Sequence, residues 1–195
     1  MTTKRRVGYS WCMNMVVPEI AQQVSASRQK VMDELSSRLI KALLTQTQLP
    51  LGAVASHAGL ANPRALDRET QRLFKSTAGQ VRVKHADTDA LAKDPFVREA
   101  IGFELPVQGP YDLDWVFDYL AARALQGIET VKDRHYQRRV SPSGAPSVFV
   151  NVYARNRTLH TRIPLNCGPA RSWLARVVRL FDLGVDSRVI DRALK

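Results

Sequence analysis

Apolar positions along the chain follow two rhythms. Between Ser27 and Gln46 the rhythm is helical: Leu35, Leu39, Ile40 and Leu43 fall at i, i+4, i+5 and i+8, which places them on one helix face. Pro50 ends that run or opens the next element. From Leu49 to Val83 the rhythm stays helical but is broken once. Val54, Ala55 and Ala58 share a face, and Gly59 then interrupts at a point where a left-handed backbone is cheap only for glycine. Leu60 plugs the junction. Asn62 has the chemistry of a helix N-cap, and Pro63 suits the first helical position. The second helix of the pair should point Leu66, Leu73 and Phe74 inward, and Arg64, Asp67, Arg68, Gln71 and Lys75 outward.

Beyond residue 100 a period of two takes over, interrupted by helices. Phe103, Leu105 and Val107 alternate in a short segment broken by Pro106, which predicts an edge strand. Asp112 is a second N-cap candidate. Leu113, Val116, Phe117, Leu120 and Ala124 make the stripe behind it, with Trp115 and Tyr119 beside them, and Gly127 is expected to end the helix. Ile128 to Val140 reads as one polar-rich strand. From Ser147 to Ile163, Val148, Val150 and Val152 share one face, and Phe149, Asn151 and Tyr153 the other. After a turn at 154–157, Leu159, Thr161 and Ile163 oppose Thr158, His160 and Arg162. A helix from Ala170 to Leu183 carries Trp173, Leu174, Val177, Val178 and Phe181 inward, and a short helix spans Ser187 to Leu194.

The pattern predicts an α+β protein: a helical helix-turn-helix module, then an antiparallel sheet with two helices on one face. Residues 1–26 are poorly patterned, 27–84 form the helical module, 85–101 a charged linker with Pro95 in it, and 102–195 the sheet domain.

Charge gives this architecture a direction. Lys and Arg total 29 against 18 Asp and Glu, a formal charge of +11 with pI near 10.2, and nucleic acid is the commonest partner for such a chain. A second helix with a basic outward face, held by a glycine turn, suits the major groove of double-stranded DNA. The candidate DNA-binding residues are Asn62, Arg64, Arg68, Gln71, Arg72 and Lys75. A second basic group, Lys132, Arg134, Arg138 and Arg139 with Arg155, Arg157 and Arg162, has two readings. It is a face that contacts the DNA backbone, or a solvated sheet face whose arginine stems shield apolar surface.

Other chemistries find little support. Cys12 and Cys167 are too few for a disulfide framework or a zinc site, which fits a reducing cytoplasm. His57, His85, His135 and His160 lack ligand spacing, so no metal or cofactor is expected, although His135 and His160 could be cross-strand neighbours. Asp112, Asp114 and Asp118 share one helix and suit capping and solvation better than acid–base work. No segment has the length of apolar chain needed to span a bilayer. Lys4-Arg5-Arg6 before the apolar run from Val7 to Val17 faintly echoes a signal peptide. That run contains Ser10 and Asn14, no cleavage site follows it, and secretion is not expected.

Two family resemblances follow from particular residues. Val54-Ala55, Ala58-Gly59-Leu60, Leu66, Arg68, Thr77, Val81 and Arg82 resemble the second helix-turn-helix of AraC-type regulators. Leu60, Leu66 and Thr70 stand where that family usually has Phe, and Ala78 where it has Pro. Leu105-Pro106, Pro110-Tyr111-Asp112, Trp115, Leu120 to Ala124, Ile128-Glu129, Tyr136, Arg138 and Arg179 to Leu183 resemble the N-terminal domain of AlkA-type 3-methyladenine DNA glycosylases. The second resemblance implies a TATA-binding-protein-like fold and a setting in alkylation-damage repair, as in Ada/AlkA-type fusions. In that family the catalytic Asp lies downstream, after a glycine-rich hairpin, and neither feature occurs in these residues. The chain alone is therefore expected to bind DNA without catalysis, to need a separately encoded catalytic domain, or to be a structural remnant that does not bind DNA.

Overall fold

The computed structural model of the chain describes residues 8–85, 100–107, 110–141, 147–155 and 158–184; side chains at 8–20, 23, 24 and 85 fall outside that description. The linker at 86–99, the turn at 142–146 and the expected helix from Ser187 to Leu194 lie outside the described residues.

Four helices come first: α1 (Gly8–Gln46), α2 (Leu51–His57), α3 (Pro63–Phe74) and α4 (Ala78–His85). The sheet half follows as β1 (Ala100–Leu105), α5 (Leu113–Ala121), β2 (Glu129–Lys132), β3 (His135–Val140), β4 (Val148–Arg155), β5 (Thr158–Pro164) and α6 (Ala170–Leu180). Helix α1 begins well before Ser27. Its segment around residues 25–30 is mostly exposed, so no apolar stripe marks it in the sequence. The expected stripe of Leu35, Leu39, Ile40 and Leu43 is buried, together with Val31 and Leu44.

All strand pairs are antiparallel, in the order β1-β5-β4-β3-β2. The register puts Ile101, Leu105, Tyr136, Val150, Val152, Leu159, Thr161 and Ile163 on one buried face. Helix α5 packs there on β2 and β3, and α6 on β5. The predicted pair of helices on one face is therefore present. Phe117 of α5 meets Phe181 edge-on at 5.6 Å, and Tyr136 meets the same ring at 5.8 Å.

Helix α1 joins the helical and sheet halves, packing on β1 and α6 as well as on α2 and α4. Strand β1 is an edge, as its proline neighbour suggested, and an edge strand offers unpaired backbone groups. Gln46 answers them as a missing strand would: its Nε2 donates to Gly102 O at 2.8 Å and its Oε1 accepts from Gly102 N at 3.0 Å. Arg38 Nη1 donates to Glu104 O at 3.0 Å one step along. Buried residues of α1, α2, α3 and α4 and of the sheet half form one continuous core.

Three expected element boundaries are corrected. The segment Ile128–Val140 is two strands. Asp133 and Arg134 both take left-handed backbone angles (φ 51° and 56°) and make the two-residue hairpin turn that matches strand twist. Asp-Arg lacks the usual Asn-Gly signal, and contacts from outside hold it: the Arg134 guanidinium forks onto Asp114 at 2.6 Å twice, and Ala154 N donates to Arg134 O. Helix α5 ends at Ala121 rather than at Gly127, which sits in the following turn at φ 78°. Helix α6 ends at Leu180. Asp182 supplies the left-handed position, Asp182 N bonds Arg179 O and Leu183 N bonds Val178 O, a Schellman close with Leu183 and Val178 buried together.

Candidate nucleic-acid interface

The junction of α2 and α3 forms as its residues suggest. Gly59 sits at φ 72°, with Leu60 N donating to Ala55 O at 2.8 Å and Gly59 N to Ser56 O at 3.0 Å. These bonds satisfy carbonyls that the end of α2 would leave unpaired. Asn62 caps α3: its Oδ1 accepts from Ala65 N at 2.9 Å, and Pro63 opens the helix. Its amide oxygen is thereby committed to the fold.

Below the junction, α3 buries Leu66 and Thr70 and partly buries Leu73 and Phe74. Thr70 fits a fully buried site because its hydroxyl donates to Asp67 O at 3.0 Å. Asp67, expected to face outward, turns to α4 and accepts from Ala78 N at 2.9 Å. Thr77 and Gln80 complete that start as a reciprocal capping box: Thr77 N donates to Gln80 Oε1 and Gln80 N to Thr77 Oγ1.

Arg64, Arg68, Gln71, Arg72 and Lys75 are exposed. Arg72 is tied by a forked pair to Glu69 at 2.6 and 3.1 Å, and Lys75 Nζ donates to Arg72 O at 3.3 Å. Arg72 holds the Glu69 carboxyl below its ordinary value, chiefly through that hydrogen bond. Among the described residues, Arg64, Arg68 and Gln71 have no such partner. The six candidates thus divide. Arg64, Arg68 and Gln71 present uncommitted donors, Arg72 and Lys75 have local bonds, and Asn62 builds the helix start.

The turn is braced from the sheet half. Arg171 of α6 lies against Gly59, where a Cβ would fall 2.6 Å from Arg171 Cδ, and its Nη1 donates to Ala58 O at 3.4 Å. His57 lies nearby in sequence with its Nδ1 buried and unpartnered, and burial lowers its pKa below 6.5. No local pattern reveals the Arg171 brace, because the two residues are far apart in the chain and meet only through tertiary packing.

The second basic group does not form one face. Arg138 points inward, where Arg138 Nη1 and the Tyr136 hydroxyl both donate to Glu129 Oε1, at 2.6 and 2.7 Å. Burial raises the Glu129 pKa, but these bonds and the Leu125 N–H outweigh it and hold the carboxyl below its ordinary value. The Tyr136 hydroxyl is pushed up to about 12, first by burial and then by Glu129. Arg134 belongs to the hairpin turn, and Arg157 lies outside the described residues. Lys132, Arg139, Arg155 and Arg162 occupy outward sheet positions. His135 and His160 are not cross-strand neighbours: Tyr153 stands between them, paired with each. No group of acidic, histidine or cysteine side chains suited to a metal occurs among the described residues, and no described helix is long and apolar enough to cross a membrane.

Fold and site together define an α+β chain in which a capped helix-turn-helix leans on a helix-covered antiparallel sheet. Residues 102–195 match the family described as AlkA N-terminal domain. DNA-3-methyladenine glycosylase 2 of Escherichia coli (strain K12) is 36% identical over 95 residues, which are 47% of this chain and 33% of that protein. The probable bifunctional transcriptional activator/DNA repair enzyme AlkA of Mycobacterium tuberculosis (strain ATCC 25618 / H37Rv) is 29% identical over 157 residues, 79% of this chain and 31% of that one. The latter stretch exceeds what the sheet half alone provides, so it reaches into the helical half. The chain spans about a third of the length of these curated relatives.

Proposed function

We propose that this chain is a DNA-binding protein of alkylation-damage repair and its regulation, and that it reads double-stranded DNA through α3. One observation carries the proposal. Arg64, Arg68 and Gln71 stand exposed and uncommitted on a helix whose start and turn are fixed by Asn62 and Gly59, in a chain whose other half matches the AlkA N-terminal domain. Arg64, Arg68 and Gln71 face bases or phosphates, and Arg72 and Lys75 face the backbone. Arginine and glutamine can make two-pronged contacts with guanine and adenine edges, and further cations hold the register on phosphates. The names of both relatives, a glycosylase and a transcriptional activator/repair enzyme, support the setting.

These residues do not supply glycosidic-bond cleavage in this reading. The carboxylates of α5 have other work: Asp112 caps the helix and Asp114 grips Arg134. Titration of labelled duplex DNA at two salt concentrations tests the proposal, with binding at micromolar protein that weakens as salt rises. Absence of salt-sensitive binding overturns it. A parallel assay on alkylated DNA should show no base release.

A second reading is favoured by α5 and the turn after it, where Trp115, Tyr119, Leu125 and Ile128 are exposed. In that reading the chain works with a separately encoded helix-hairpin-helix catalytic domain that covers this patch. Co-purification with such a domain, abolished by Trp115→Ala, supports it.

A further inference from the structure

The face of the sheet opposite α5 and α6 has a composition that the folding of the chain does not require. Its centre is β4, where Phe149 and Tyr153 project on the same side, four residues and therefore about 13 Å apart. Both rings are exposed, 44% and 38%. Tyr153 is stacked on His160 of β5 with centroids 5.2 Å apart and planes 13° from parallel, and His135 of β3 meets it edge-on at 5.9 Å. Between the two rings, Asn151 is pinned: its Oδ1 accepts from Gln137 Nε2 at 2.8 Å and lies 3.1 Å from His135 Nε2, while its Nδ2 donates to Phe149 O. The aromatic groups stand on a stiff, hydrogen-bonded surface.

Charge around those rings is mostly positive. At outward positions of the described strands stand Lys132, Arg139, Arg155 and Arg162, against one carboxylate, Glu104 of β1, which pairs across the strands with His160. The Arg139 guanidinium lies 5.9 Å from the Phe149 ring centroid, so cation and ring are presented together. A solvated face kept only to cover the core would gain nothing from exposed Phe and Tyr rings, since the opposite face already buries the apolar strand positions.

We propose that this outer face is a stacking platform for single-stranded nucleic acid. Unpaired bases lie on Phe149 and on the Tyr153–His160 pair, and the phosphates run past Arg139, Arg155 and Lys132. The occupant is single-stranded because a ring on a flat sheet can stack only on a base whose own face is open, and duplex bases are covered by their neighbours. The polyanion follows from the cationic rim. This site is separate from α3 and does not depend on α3 reading duplex DNA.

Anisotropy titration of a fluorescein-labelled twelve-residue thymidine oligonucleotide, and separately of a labelled duplex, with the full chain tests the proposal. Phe149→Ala and Tyr153→Ala should each weaken the single strand by about tenfold, since one base–aromatic stack is worth roughly 5- to 150-fold in affinity. Duplex binding should stay as it was, and Phe149→Trp, which keeps a ring, should retain the single strand. Arg64→Ala with Arg68→Ala should leave the single strand bound, which separates this site from the helical one. Circular dichroism melting checks that the exposed-ring variants remain folded. Undetectable binding of the oligonucleotide by the unaltered chain, or equal affinity of the alanine variants, overturns the proposal. So does a change of sedimentation in Phe149→Ala, because the face would then hold a second copy of the chain.

Discussion

Helices α3 and α5 are built by the same local chemistry and turn opposite surfaces outward. Each starts with an Asx cap accepting from the third residue on: Asn62 Oδ1 from Ala65 N at 2.9 Å, and Asp112 Oδ1 from Trp115 N at 3.0 Å. Each buries a short stripe, Leu66 and Thr70 in one, Phe117 and Leu120 in the other. Outward, α3 shows Arg64, Arg68 and Gln71. Outward, α5 shows Asp114 and Asp118 with Trp115 stacked on Tyr119 at 5.3 Å, and Arg123 lies 3.8 Å over the Tyr119 ring. The α5 surface presents exposed rings beside carboxylates, and those carboxylates repel a polyanion. Cap and stripe determine that a helix forms, and the remaining positions determine what it can meet.

Removing the buried stripes should have the largest effect on both helices. Leu66→Ala should cost about 2–5 kcal/mol and Phe117→Ala about 3–5 kcal/mol in urea unfolding. Because α1 joins both halves in one core, each variant should shift a single transition. A second transition appearing in Leu66→Ala would mean that the halves unfold separately. Next in size is Gly59→Ala, which places a Cβ at φ 72° and against Arg171; a loss of about 1–2 kcal/mol is expected, read by the same unfolding curve. The paired cap variants Asn62→Ala and Asp112→Ala should then cost nearly equal amounts, about 1 kcal/mol each. Unequal values in thermal melts would show that one cap does more than end its helix.

Acid should act on one group in each half at a different pH. His57 has its pKa lowered by burial, so its contribution is complete above 6.5 and is lost as pH falls through the depressed value. Burial raises Glu129, but its hydrogen bonds prevail and lower it, so its contribution is present above 4.5 and is lost as pH falls further. The single melting temperature should therefore decline in two steps, first as His57 takes up a proton and later as Glu129 does. His57→Gln should flatten the first decline and Glu129→Gln the second.

Much of this was legible in the sequence wherever a local rule decided the outcome. Gly59, Asn62, Pro63, Asp112 and the alternation of Val148 to Ile163 each state their backbone role through spacing and side-chain chemistry. Where tertiary contacts decided, the sequence was silent or misleading. The Asp133-Arg134 turn depends on Asp114 and β4, and Asp67 turns inward because α4 needs a cap. The Gln46 bridge to Gly102 joins residues that no local pattern connects. Of the candidate site, the exposure of Arg64, Arg68 and Gln71 followed from helical period. The division of the second basic group between inner face, turn and outer face required the strand register.

Contact between the cations of α3 and DNA phosphates or bases, as proposed, is measured most directly by the salt dependence of duplex binding. Each phosphate contact neutralised adds about 0.9 to the slope of log affinity against log salt. Arg64→Ala with Arg68→Ala should weaken duplex binding and lower that slope by about one to two units, with the fold intact. The same affinity and slope as the unaltered chain would contradict it.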